Sequence, residues 1–160
     1  MKPQAERPML TTLLTRLSGP PPSVRALPHG RSRRTLAVKS ARENPAVDDG
    51  MRVLVDRHWP RGLAREGLIT DLWLKEVAPS TRLQSWYGSD PSRWPAFSLR
   101  YRAEIQLHED LLDLLVELRT RGQLTLLCDA SDILHSHCVV LRDTIIERRF
   151  SRRIRKGAQP

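Results

Sequence analysis

Two short, mostly apolar runs constrain this chain more than anything else in it: Met51-Arg52-Val53-Leu54-Val55-Asp56 and Leu124-Thr125-Leu126-Leu127-Cys128. Strands this apolar have no water-facing side, which is the property of a parallel sheet covered on both faces. The residues between them carry helical patterns. The predicted class is therefore α/β, a single three-layer domain with a mostly parallel sheet flanked by helices, in which these two runs are adjacent parallel strands. Leu36 to Ser40 reads as a further, first strand, and Asp48-Asp49-Gly50 as the turn leading into the second.

The helical segments follow from their punctuation. Leu68 to Val77 (LITDLWLKEV) reads as a helix closed by Pro79, and Ser80 or Thr81 caps a short helix through Trp86. Asp90-Pro91 and Pro95 mark another start, since proline is tolerated in a first turn and breaks a helix further in. From there Trp94, Phe97, Tyr101, Ile105, Leu111, Leu115 and Leu118 recur at three-to-four-residue spacing, predicting one long helix that stops at Gly122. Ser131 or Asp132 is expected to cap a last helix with Leu134, Cys138, Leu141 and Ile145 on one face.

The net charge of +9 over 160 residues raises the question of nucleic acid, and its distribution matters more than its sum. Residues 1–45 hold nine Lys and Arg against two acids, residues 148–160 hold six bases and no acid, and the stretch between is mildly acidic. The predicted organisation is a basic, Pro-rich, disordered tail over residues 1–34, an α/β domain over 35–149 and a second basic, disordered tail over 150–160. Such tails read either as solvated ends or as electrostatic arms for nucleic acid. No run approaches the roughly 20 apolar residues of a membrane-spanning helix. Met9 to Leu17 is too short and too soon followed by prolines for a secretory signal. With only Cys128 and Cys138 present, the thiols are expected to be reduced and the protein cytoplasmic.

Chemistry is expected where the strands end, because ligands of parallel sheets gather at the carboxyl ends of the strands. The loop after the second strand reads Asp56-Arg57-His58-Trp59-Pro60-Arg61-Gly62, and the loop after the last reads Asp129-Ala130-Ser131-Asp132; the two should face each other. Arg57 and Arg61 with Trp59 between them suit the capture of a phosphate or carboxylate, or else a structural corner in which Asp56 satisfies a guanidinium. Glu104 falls on the apolar stripe with Tyr101, where an unpaired carboxylate is costly, so it needs a partner: Arg100, Lys75 or an arginine of the WPRG loop. Asp56 and Glu104 are the candidate catalytic or orienting carboxylates, and Arg57, Trp59, Arg61, Lys75, Arg100 and Tyr101 the candidate substrate-binding residues. No glycine-rich phosphate loop, CxxC or HExxH pattern occurs, so no metal and no cofactor is expected.

The blocks RVLVDRHWPRG, DLWLKEVAPST with RLQSWYG, DPSRWPAFSLRYRAE and LTLLCDASD with VVLRD together resemble the YeaO-like family, domain of unknown function 488. The resemblance spans about Leu36 to Arg148. It implies a small bacterial cytoplasmic α/β protein whose shared polar positions fall here on Asp56, Arg57, Trp59, Arg61, Lys75, Ser80, Trp86, Arg100, Tyr101 and Glu104. Four positions depart from the pattern the resemblance implies. Ser89 stands where His is usual, Cys128 where Tyr is common, Ser131 where Lys or Arg precedes Asp132, and Ser136 where Asn is usual. The functional expectation is a ligand-binding or enzymatic domain for a small anionic compound, and the alternative is a noncatalytic protein that binds nucleic acid through its tails.

Overall fold

The computed structural model describes residues 35–157, with side chains to residue 150. The N-terminal tail, and with it the expected disorder and nucleic-acid contacts of residues 1–34, lies outside the described residues. Four parallel strands form one sheet in the order β1-β4-β2-β3, with β1 Leu36–Ser40, β2 Met51–Leu54, β3 Leu72–Trp73 and β4 Leu124–Cys128. Every pairing is parallel, and Met51 and Leu36 both lie level with Leu124. The adjacency of β2 and β4 is thus as the two apolar runs predict.

Alternation along the strands divides the core. Leu124, Leu126 and Cys128 of β4, all fully buried, share one face with Val53 of β2. The helices gather against the sheet through α4 (His137–Gly157), which packs on β1 and β4. Helices α2 (Trp94–Gln106) and α3 (Glu109–Arg121) pack on α4, and α1 (Thr81–Tyr87) packs on α2. On the opposite face Leu54 and Leu127 meet Ala41, Leu68, Trp59, Leu63 and Trp73, so loop segments form the layer there.

Three helix expectations are corrected. Leu68 to Val77 is not a helix: Leu72–Trp73 is an edge strand, followed by a 3₁₀ turn at Lys75–Val77. The reason is local. Thr70 Oγ1 donates to the carbonyl of Arg52, Asp71 Oδ2 accepts from the Arg52 amide at 2.8 Å, and Leu74 N donates to the Leu54 carbonyl, so the segment is tied to β2 in extended form. The long helix is two helices, broken at Leu107 and His108, where Leu107 is 83% exposed. Its stripe survives the break because Phe97, Tyr101 and Ile105 are buried from one helix and Leu115 and Leu118 from the next. The last helix starts at His137, later than Ser131 or Asp132 predicts, and Leu134 is exposed rather than on its buried face, which Cys138, Leu141 and Ile145 occupy. Helix α4 runs on past Arg149 to Gly157.

Two local predictions hold in detail. Ser80 caps α1 by accepting from the Leu83 amide at 3.2 Å, and Asp90 accepts from Ser92 N at the start of the 3₁₀ turn that leads into α2. The turn before β2 depends on Gly50, which has φ +62° and whose absent Cβ would fall 2.2 Å from the backbone carbonyl oxygen of Gln123. A rigid backbone cannot yield that space. Gly50→Ala is expected to lower stability by about 3 kcal/mol or more, through left-handed strain and displacement of β4's entry. Urea denaturation beside wild type checks this; a change below about 1 kcal/mol would mean the turn is free to move.

Candidate functional site

The loops after β2 and β4 do face each other, and Asp56 joins them. Its Oδ2 accepts from the backbone amide of Asp129 at 2.6 Å. The His137 ring comes down from the first turn of α4, its Nε2 lying 3.2 Å from the Val55 carbonyl and 3.3 Å from Asp56 Oδ1. Two acceptors on one nitrogen require that nitrogen to carry the hydrogen, so the neutral Nε2–H tautomer fits. Burial sets both protonation states. It pushes the Asp56 carboxyl up to about 6 and His137 down to about 4.

Other reactive groups beneath this point are equally withdrawn. Cys128 and Cys138 are fully buried thiols, and burial pushes Cys138 well above its ordinary range. The Tyr101 phenol donates to the Val77 carbonyl at 2.6 Å, with its ring edge-on to His137 at 6.0 Å, and burial raises its pKa well above the ordinary value.

Above them a cleft of about 360 Å³ opens between the α1 end and the loop after β4. Gln84, Tyr87 and Ser89 line one side, Asp129, Ser131, Asp132 and His135 the other, and Phe97, Ser136 and His137 also contribute. The walls are fixed to each other. Tyr87 Oη donates to the His135 carbonyl at 3.1 Å and its ring stacks on Phe97 at 4.3 Å. Asp132 accepts from the amides of Leu134 and His135, and its Oδ2 lies 2.6 Å from His135 Nδ1, contacts that hold its carboxyl below the usual range. At the rim Arg42 grips Asp129 with two bonds of 2.7 and 2.8 Å and donates to the carbonyl of Arg61.

Of the candidate catalytic and substrate-binding residues, Asp56 and the buried Tyr101 lie at this junction. Arg57 is spent on the carbonyls of Ala78 and Pro79, at 3.1 to 3.2 Å. Trp59 donates to the Leu63 carbonyl and packs edge-on against Trp73 at 5.6 Å, a corner of the loop layer. Arg61 and Lys75 are exposed. Arg100 is exposed and lies over the Trp86 ring at 4.1 Å.

Glu104 is not paired with a guanidinium or with Lys75. It accepts from the Ser80 amide at 2.8 Å and the Ser80 hydroxyl at 2.6 Å, so it closes the cap of α1 from a neighbouring helix. Glu104→Ala removes both acceptors from a partly buried cap and is expected to cost about 1–3 kcal/mol. Glu104→Gln keeps one acceptor, and its loss in chemical denaturation should be smaller; equal losses would show that charge, not the cap, matters.

On the α1 side of the cleft the sequence marks Ser89 alone, through the resemblance. Nothing marks Gln84 or Tyr87, because it is the fold of α1 against α2 that carries them to the strand ends. His137 was within reach, as the first-turn residue of the helix that follows β4.

A family described as the inactive DUF488-N3 subclade, DUF488-N3i, matches residues 35–160. The chain belongs to this family. It is a YeaO-like DUF488 protein, 38% identical over 95 residues to the uncharacterised protein YeaO of Escherichia coli K12, a match covering 59% of this chain and 83% of that one. It is likewise 38% identical over 94 residues to the uncharacterised protein Rv3073c of Mycobacterium tuberculosis H37Rv, covering 59% of this chain and 79% of the relative. No solved structure matches it. Within this DUF488 chain the four positions at which the resemblance implies other residues converge: Ser89, Ser131 and Ser136 line the cleft, and buried Cys128 ends the strand beneath it.

Proposed function

We propose that this DUF488 chain is a noncatalytic binding domain whose cleft, at the carboxyl ends of β2 and β4, holds a small polar compound. The observation that carries this reading is that the cleft is open while the reactive groups around its floor are committed. Asp56 and His137 face each other below it, the thiols are buried, and Tyr101 is bonded to a backbone carbonyl. A general acid or base must reach the proton it transfers, and a thiol acts as its thiolate, so burial withholds Asp56, Tyr101 and the two thiols from catalysis, while the half-exposed His135 of the wall is held by Asp132. The family's description as inactive supports the same conclusion, and so do the serines at 89, 131 and 136, where the resemblance implies other side chains.

A phosphate- or carboxylate-bearing compound is the class we favour. Arg42 is bound to Asp129, a residue of the cleft wall, and an anion there exchanges that carboxylate for another on the same guanidinium. Hydroxyls of Ser89 and Ser131 are neutral donors inside.

The test is thermal stabilisation of the whole chain by phosphate monoesters, small carboxylates and small amines, repeated with Ser131→Trp, which fills the cleft from an exposed position. Stabilisation by the anions that Ser131→Trp abolishes is the expected result. Stabilisation by amines alone would overturn the anionic class but keep the cleft; equal stabilisation of the blocked variant would overturn the cleft.

A further inference from the structure

A second concave surface lies outside the cleft and shares no lining residue with it. It is a groove of about 470 Å³ bounded by Ser80, Arg82, Leu83, Trp86, Arg100 and Glu104, on α1 and α2. Its centre is the half-buried Trp86 indole. The guanidinium of Arg100 lies 4.1 Å from the ring centroid and that of Arg93 lies 5.6 Å from it, so two cations share one aromatic ring. Arg93 is further oriented by the carbonyl of Trp86 and by Asp90 at 3.3 Å. Arg82, Arg93 and Arg100 are all exposed. The carboxylate in the groove, Glu104, is occupied by two hydrogen bonds from Ser80.

We propose that this groove binds a nucleotide unit of single-stranded nucleic acid, the base stacking on the flat Trp86–Arg100 surface and the flanking phosphates taken by Arg82 and Arg93. The chemistry is that of recognition of single strands: a π face or guanidinium plane for the base, beside guanidiniums for the backbone. Holding Arg93 against the indole lowers the entropy lost when it engages phosphate. A net charge of +9, concentrated in the terminal stretches, attracts the same polyanion over a longer range. An acidic peptide supplies the charge but no flat ring, so the aromatic centre of the groove favours the nucleotide. This binding is independent of the cleft.

The experiment is fluorescence anisotropy of a labelled 12-nucleotide oligo(U) with the full chain, at several salt concentrations. Trp86→Ala is expected to weaken binding about tenfold, the usual loss when a stacked base loses its ring. Arg100→Gln, at an exposed position that leaves the fold intact, is expected to weaken it severalfold. Arg82→Gln should lower the slope of log Kd against log salt by about 0.7, the amount per phosphate contact on a single strand. Arg121→Gln removes one exposed charge on α3, away from the groove, and should weaken binding less than Arg100→Gln does. Displacement by uridine monophosphate that depends on Trp86 would support the proposal with the free nucleotide as a source of the same unit. Equal losses from Arg121→Gln and Arg100→Gln would overturn it, because the binding would then be diffuse attraction to a basic chain. Displacement by a 12-residue polyglutamate with the same Trp86 dependence would also overturn it, in favour of an acidic protein partner.

Discussion

Asp49→Ala should be the most damaging single change in the described fold, lowering stability by about 3–5 kcal/mol, the usual result of leaving a buried charge without its counter-ion. Asp49 is 2% exposed and Arg52 3% exposed. The Asp49 carboxylate accepts from Arg52 Nη1, from Lys39 Nζ and from the Ala46 amide, and these partners hold its pKa below the usual range against the cost of burial. Arg52 also donates to the carbonyls of Ile69 at 2.8 Å and Glu43 at 3.2 Å, and Thr125 donates its hydroxyl to the Asp49 carbonyl. One buried pair therefore ties β1, β2, β4 and the segment before β3 together on the loop-covered face. Asp49→Asn keeps the shape and loses the charge, and should fall between wild type and Asp49→Ala. Guanidinium denaturation at neutral pH measures both; a loss under about 1 kcal/mol in Asp49→Ala would mean that water compensates Arg52.

The Asp56–His137 contact should itself contribute almost no net pH dependence to stability between about 4 and 6.5 in wild type, and a strong one in single variants. The signs oppose each other. Folding raises the Asp56 pKa from 3.8 to about 6, so its contribution is complete below 3.8 and is lost as pH rises through about 6. Folding lowers the His137 pKa from 6.5 to about 4, so its contribution is complete above 6.5 and is lost as pH falls through about 4. The two slopes cancel over the shared window. In Asp56→Asn only the histidine slope remains, and stability should fall on the order of 3 kcal/mol between pH 6.5 and pH 4 relative to wild type. In His137→Gln the slope reverses, and the variant should gain relative to wild type as pH falls from 6 to 4. Denaturation midpoints at half-unit pH steps read both. Parallel profiles for wild type and Asp56→Asn would show that Asp56 titrates alike in the folded and unfolded chain.

The strands were legible because burial on both faces leaves a run such as LTLLC little other use, and so was the facing of the loops that carry Asp56 and Asp129. The caps were legible for the same local reason: Ser80 and Asp90 act within a few residues of themselves. What could not be read was anything decided by distant partners. Apolar spacing continues across Leu107 and His108, so periodicity alone merges α2 and α3. LITDLWLKEV has helical spacing, and it becomes an edge strand because Thr70 and Asp71 bond to Arg52, which is remote in sequence. Glu104 was recognised as needing a partner, but charge arithmetic favoured an arginine over Ser80, whose amide is free because it caps a helix. In the same way Arg57 looked available until the fold supplied two carbonyls for it.

The central claim, a binding cleft without catalysis at the carboxyl ends of β2 and β4, is tested most directly by amide chemical-shift mapping of the isotopically labelled chain. The titrants are phosphate monoesters and small carboxylates, with each compound followed for turnover in the same tube. The account predicts saturable shifts at Ala130, Ser131, Asp132, His135 and Ser136 and at Gly88 and Ser89 across the cleft, with every compound recovered unchanged. Shifts confined to residues outside the cleft, or conversion of a bound compound into product, would contradict it.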